Sequence, residues 1–314
     1  MRRSASWILL LLGAFLATVA VLALVWVPGQ VKKTPLDVSS VTRLTGTAKL
    51  ASGTGLETVN VKATSTTHAD STGSTGDVVL FQNSSCLVKD PNGNAPDCVS
   101  ADDPQQRLLS ASTDTFATNR TSGLAVADFK GLPTEAETKS GLVNKFPFDT
   151  QKKTYQFWDG YVSKPIDTTF EGVENIDGLT TYKFHYTITD GDIQITDGVP
   201  GKFATDKTMW VEPHTGSIMK QTEHQVRTFA DSGATFLDLN FGFTDATIAA
   251  NVKDGKANAS KLTLLTSTVP LVGGILGLAA LLAGGALHVV AGRKEDEVAA
   301  APAGPSGQVD LRKS

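Results

Sequence analysis

Residues Val269 to Ala291 read VPLVGGILGLAALLAGGALHVVA, an apolar run with no Asp, Glu, Lys or Arg. At 1.5 Å of rise per residue, a helix of this length crosses a hydrocarbon core of ~30 Å. His288 is its one ionisable group and lies near one end. Gly273, Gly274, Gly277, Gly284 and Gly285 fall inside the run. In water so much glycine would cost backbone entropy for little return, whereas in lipid small residues let helices approach closely. Arg293 and Lys294 follow directly, and the positive-inside rule holds that flank in the cytoplasm.

A second apolar stretch, Trp7 to Val27, follows Arg2 and Arg3. It exceeds the ~7–15-residue apolar region of a secretory leader, and its exit, VWVPGQ, offers no small-residue cleavage pattern. The sequence predicts an uncleaved signal anchor with its N-terminus inside. The expected plan is a cytoplasmic N-terminus (1–6), transmembrane helix 1 (7–27), an extracytoplasmic domain (30–261), transmembrane helix 2 (269–291) and a disordered cytoplasmic tail (292–314). The host membrane would be a plasma membrane, with the large domain on its outer side.

The net charge of −4 gives no basic face of the kind nucleic acid requires. The central segment is rich in Thr, Ser, Gly, Asp and Val, which favours strands and turns over helices. Its two cysteines, Cys86 and Cys98, flank Asp90-Pro91-Asn92-Gly93, a strong turn signal. An oxidising compartment predicts a disulfide between them.

Alternation predicts strands over Val38–Leu50, Leu56–Thr67, Asp77–Gln82 and Arg107–Thr118. It is clearest in Leu179–Thr189, where Tyr182, Phe184, Tyr186 and Ile188 face one way and Lys183, His185, Thr187 and Thr189 the other. Met209–Glu212 and Ser217–Lys220 read as a hairpin around Pro213-His214-Thr215-Gly216, with further strands at Glu223–Phe229 and Ala234–Phe243. Thr134–Ser140 is expected as a brief helix, and Thr244–Asn258 as another with Thr244 as its cap. The fold class is a mainly β (α+β) ectodomain, a curved antiparallel sheet or partly closed barrel with small helices, between two transmembrane helices.

Three blocks carry a family resemblance: GLVNKFPFDT from Gly141, KTYQFWD from Lys153 and GLTTYKF from Gly178. Together with both spans they resemble the actinobacterial PorA-like family of two-pass envelope proteins. The resemblance implies a role in building the cell envelope, with partners among glycolipid export and lipoglycan maturation. A more local likeness runs from Trp210 to Lys220, WVEPHTGSIMK, which is similar to a hairpin of lipoprotein-carrier folds that hold acyl chains.

The candidate ligand-binding residues are Trp158, Tyr182, Phe184, Tyr186 and Trp210, as walls of an acyl or sugar site. The competing reading of the Trp158 cluster is core packing around a turn in which Asp159 bonds backbone N–H groups. His214 and His224 would need a third ligand to hold a metal, for which Glu212 and Glu223 are the only near candidates, and they read as neighbouring solvated residues. Asp190, Asp192 and Asp197 fail the order of a Ca²⁺ loop and read as two Asx-capped turns. No nucleophile elbow, zinc helix, phosphate loop or dinucleotide fingerprint occurs, so neither an enzyme nor a cofactor or metal is expected. The sequence points to a membrane-anchored module that binds or hands on a lipid or glycolipid. The alternatives are a scaffold subunit of an envelope-synthesis complex and an oligomeric porin.

Overall fold

A computed structural model describes residues 2–53 and 55–299. The chain forms two compact units, one from the N-terminus to Gln30 together with the residues from Thr263 onward, the other Val31–Leu262.

The first unit contains α1 (Arg2–Val25) and α4 (Val269–Ala299), both long and apolar enough to cross a membrane. A short helix, α2 (Val27–Val31), follows α1, and a π-helical turn at Leu264–Thr268 precedes α4 in sequence. Glycine sets how closely α1 and α4 pack. A Cβ on Gly13 would come within 2.8 Å of the Gly277 carbonyl, and one on Gly284 within 3.0 Å of the Leu10 nitrogen. The Ser6 hydroxyl donates to the Gly284 carbonyl at 2.8 Å, and the Trp7 and His288 rings meet edge-on at 5.5 Å. The helix of α4 continues past Lys294 to Ala299, where the sequence leads one to expect disorder. The remainder of that tail, 300–314, lies outside the described residues.

The second unit is one antiparallel sheet of ten strands: β1 (Ser39–Ser52), β2 (Gly55–Asp70), β3 (Val78–Lys89), β4 (Leu108–Asn119), β5 (Tyr155–Asp159), β6 (Lys164–Ile176), β7 (Leu179–Thr196), β8 (Val199–Val211), β9 (Ile218–Phe229) and β10 (Thr235–Phe243). Their order is β4-β3-β2-β1-β10-β9-β8-β7-β6-β5, a curled half-barrel in which β1 and β10 pair centrally with Leu44 opposite Phe243. Hydrogen bonds carry the pairing past both outer strands. Val126 donates to the Ala117 carbonyl of β4, Ala125 to that of Gly141, and Leu142 to that of Gln156 in β5, at 2.8–2.9 Å.

Several elements depart from the expectation, each for a local reason. β6 and β7 are joined by a two-residue turn in which Asp177 (φ 48°) and Gly178 (φ 83°) both take left-handed backbone, the geometry that Asp-Gly favours. Residues 134–140 form no helix, because Lys139 is drawn inward to pair with Asp114 and Glu137. Asp190 and Asp192 lie within β7 rather than in turns; the strand runs past them through an irregularity between Ile188 and Gly191. Ser217–Lys220 and Glu223–Phe229 are largely one strand, β9.

After β10 comes α3 (Asp245–Thr263), capped as expected by Thr244, whose hydroxyl accepts from the Thr247 N–H at 3.1 Å. Val252 of α3 packs with Leu179 and Met219.

Candidate functional site

The curled sheet has an inner face, and register decides which side chains reach it. Tyr186 of β7 stands opposite Lys207 of β8, Lys207 opposite Glu223 of β9, Glu223 opposite Phe241 of β10, and Phe241 opposite Gly46 of β1. A Cβ on Gly46 would fall 2.8 Å from that of Phe241, so glycine makes room for the aromatic side chain.

At the β5–β8 end this face is filled with the protein's own aromatic side chains. Leu142, Phe146, Phe157, Phe184, Tyr186, Met209 and Val211 form one buried cluster. Phe146 stacks on Phe184 at 4.5 Å and touches Tyr155 at 5.4 Å and Phe157 at 5.6 Å. The segment that delivers Phe146 is held by the β8–β9 turn: Phe146 N–H donates to the Gly216 carbonyl at 2.8 Å, and Thr150 N–H to that of Pro213 at 2.7 Å. Gly216 has φ 73° and sits so close to the Phe146 carbonyl that a Cβ would overlap it. Beneath the turn, the buried Glu212 carboxylate accepts from the His214 and Thr215 N–H groups and the Thr215 hydroxyl at 2.6–2.9 Å. The KFPF and WVEPHTG stretches are thus two halves of one packed joint.

Of the five candidate residues, the structure brings together Tyr182, Phe184 and Tyr186. Phe184 is fully buried and Tyr182 borders the cluster. Tyr186 donates its hydroxyl to Asp159 at 2.9 Å, and burial pushes its phenol up. Asp159 also accepts from the N–H groups of Tyr161 and Val162, the turn role that was one of its two sequence readings. Trp210 pairs in register with Lys183 rather than Phe184's side of β7, so it faces the opposite way. There it donates to Glu174 at 2.7 Å and lies 4.3 Å beneath the Lys220 ammonium. Trp158 alternates with Phe157 and Asp159 and also faces away, with Lys139 5.3 Å over its ring. His214 bonds Glu212, and His224 bonds Asp238, so the two imidazoles are turned to different carboxylates.

Sequence reasoning does not find the second feature, a cleft of about 450 Å³ on the outer face of β1–β4. Two rows of register partners form its floor: Val41, Thr66, Ser84 and Thr113, then Arg43, Thr64, Cys86 and Ala111. Asp97 and the Cys86–Cys98 disulfide form one wall. The Asp97 carboxylate takes Arg43 at 2.6 Å and Lys62 at 2.8 Å, and these two cations, Arg43 first, hold it well below the usual carboxylate range. Thr64 is buried, and its hydroxyl has no partner within the protein, an arrangement that costs about 1–3 kcal/mol while it stays unmet. The run of Ser and Thr in β2 and β3 was a visible signal. Only register places those hydroxyls side by side.

Two membrane-length helices and a disulfide-bearing antiparallel sheet define a membrane protein with a sizeable β domain. Residues 5–286 match the family described as Porin PorA, and the chain belongs to that family. Among curated proteins it is similar to "Porin PorA" of Corynebacterium resistens, 23% identical across 47% of this chain and 55% of that protein. It is also similar to "Porin PorA" of Corynebacterium amycolatum, 37% identical across 16% of this chain and 13% of that one. The chain therefore spans about half the length of the first relative and less of the second.

Proposed function

We propose that this chain is a non-enzymatic, membrane-anchored protein of the bacterial cell envelope whose β domain binds or hands on a lipid or glycolipid. The observation that carries the reading is the outer cleft, open and lined by hydroxyls, one of them buried without a partner. Because Phe146 occupies the aromatic sector, the polar head is the part of such a ligand the domain holds. The acyl part stays in the bilayer unless that sector opens. Close packing of α1 on α4 supports a retained N-terminal anchor. The disulfide supports an extracytoplasmic domain, and Arg2, Arg3, Arg293 and Lys294 support cytoplasmic termini. Extraction of purified full-length protein followed by mass spectrometry tests the reading: bound lipid or glycolipid is expected, and repeatedly empty preparations refute it.

The relatives' printed name favours a second reading, an oligomeric channel. Two helices in contact along their glycines leave no path between them, so any pore has to form between copies. Single-channel conductance from pure protein in planar bilayers supports the channel, and silent bilayers count against it. A scaffold role in an envelope-synthesis complex is the third reading, supported by the open surface at Gly285 of α4.

A further inference from the structure

We infer that the cleft beside the Cys86–Cys98 bridge is a binding site for a neutral carbohydrate unit of mono- to disaccharide size. This rests on the glycolipid reading above and names the part of the ligand that is held.

A sugar ring presents two chemistries, an edge of hydroxyls and a face of C–H groups, and the cleft presents both in return. Thr66, Ser84 and Thr113 place three hydroxyls in one row across adjacent strands, each able to donate one hydrogen bond and accept two. Val41 at the β1 end, Ala111 at the β4 end and the disulfide beside it add apolar lining. The volume of about 450 Å³ lies within the ~300–1,000 Å³ usual for small-molecule sites. Thr66, Ser84 and Thr113 are the strongest pointers, since their side chains follow one another along a single register row that lines the cleft. An anionic ligand fits less well, because Arg43 and Lys62 already share the carboxylate of Asp97. An acyl chain would bury the hydroxyl rows without satisfying them.

The test uses the full-length protein in nanodiscs and saturation-transfer NMR with glucose, mannose, galactose, maltose and lactose. At least one sugar is expected to receive saturation, with ring C–H protons strongest. Thr66→Val, which keeps the shape and removes a hydroxyl that lines the cleft, is expected to weaken that sugar at least tenfold. Thr113→Trp, which fills the cleft from β4, is expected to abolish its binding. Both variants are melted alongside the parent to show that they are folded.

Sugar binding that survives both folded variants overturns the site, as does a protein that takes up none of the five sugars. Lipid extraction of the same samples separates the two levels of the argument. Glycolipid retained equally by parent and Thr66→Val leaves the lipid-binding reading intact and removes this site. Sugar binding lost in Thr66→Val without any co-purified lipid keeps the site and removes the lipid. Protein holding neither sugar nor lipid removes both.

Discussion

Lys207 and Glu223 face each other across β8 and β9 on the inner side of the sheet, with Nζ and Oε2 2.9 Å apart and the carboxylate almost wholly shielded. Thr205 and Gln225 also donate to Glu223, at 3.2 and 3.3 Å. Burial works against the Lys207 charge, yet Glu223, with Tyr186 and Asp159, keeps its ammonium well above the ordinary value. Removing one partner leaves a buried charge alone. Glu223→Gln is expected to lower stability by about 3–5 kcal/mol, and Lys207→Met with Glu223→Met together by much less. Because the folded lysine is raised, its contribution is present up to about pH 10 and is lost only above that. Thermal melts of the three proteins at pH 7 and in alkali check both statements.

Phe146 is the plug of the aromatic sector. Phe146→Ala is expected to cost about 3–5 kcal/mol and to leave a cavity beside Phe184. Uptake of an environment-sensitive apolar dye by the variant but not the parent would show that the sector can hold a greasy ligand once opened. Gly216→Ala should act on the same joint from the other side, through its positive φ and the nearby Phe146 carbonyl, without removing an aromatic ring.

Lys145 gives a pH dependence of the opposite sign. Its ammonium sits 3.7 Å over the Phe148 ring and 3.4 Å from the Thr34 hydroxyl, and burial pushes it down to about 7. The folded state then holds fewer protons than the unfolded chain between about pH 7 and about pH 10, so stability rises with pH across that window. Compared with Lys145→Met, the parent should gain melting temperature from neutral to mildly alkaline pH. Parallel curves for the two proteins would contradict this.

Gly277 and Gly285 make a matched pair in α4. A Cβ at Gly277 would lie 2.9 Å from the Ala17 nitrogen of α1, whereas nothing lies within 4 Å of one at Gly285. Gly277→Leu should therefore drive α1 and α4 apart and lower the aggregation temperature of the detergent-solubilised protein, while Gly285→Leu should leave it unchanged. A loss confined to complexes with other proteins in Gly285→Leu would instead mark that face as a contact for partners.

Much of the sheet is legible in the sequence because its strands alternate cleanly, β7 above all. β6 is not legible by alternation, since its register slips between Phe170 and Gly172, although Asp177-Gly178 was a readable hairpin signal. The candidate site was legible by residue type but not by side. Nothing local tells that Trp210 lies back to back with Phe184's row, or that Thr66, Ser84 and Thr113 line up, because both depend on pairing between distant segments. The charge pattern likewise hides Lys139, which is buried against Asp114 of β4 and Trp158 of β5, both distant in sequence.

The central seam of the sheet joins Leu44 to Phe243, nearly the first and the last residues of the domain to be synthesised. Until the final ribbon emerges, the nascent sheet carries two bare rims, one along β1 and one along β9. A chain cut before residue 235 leaves both rims open to pairing with other chains.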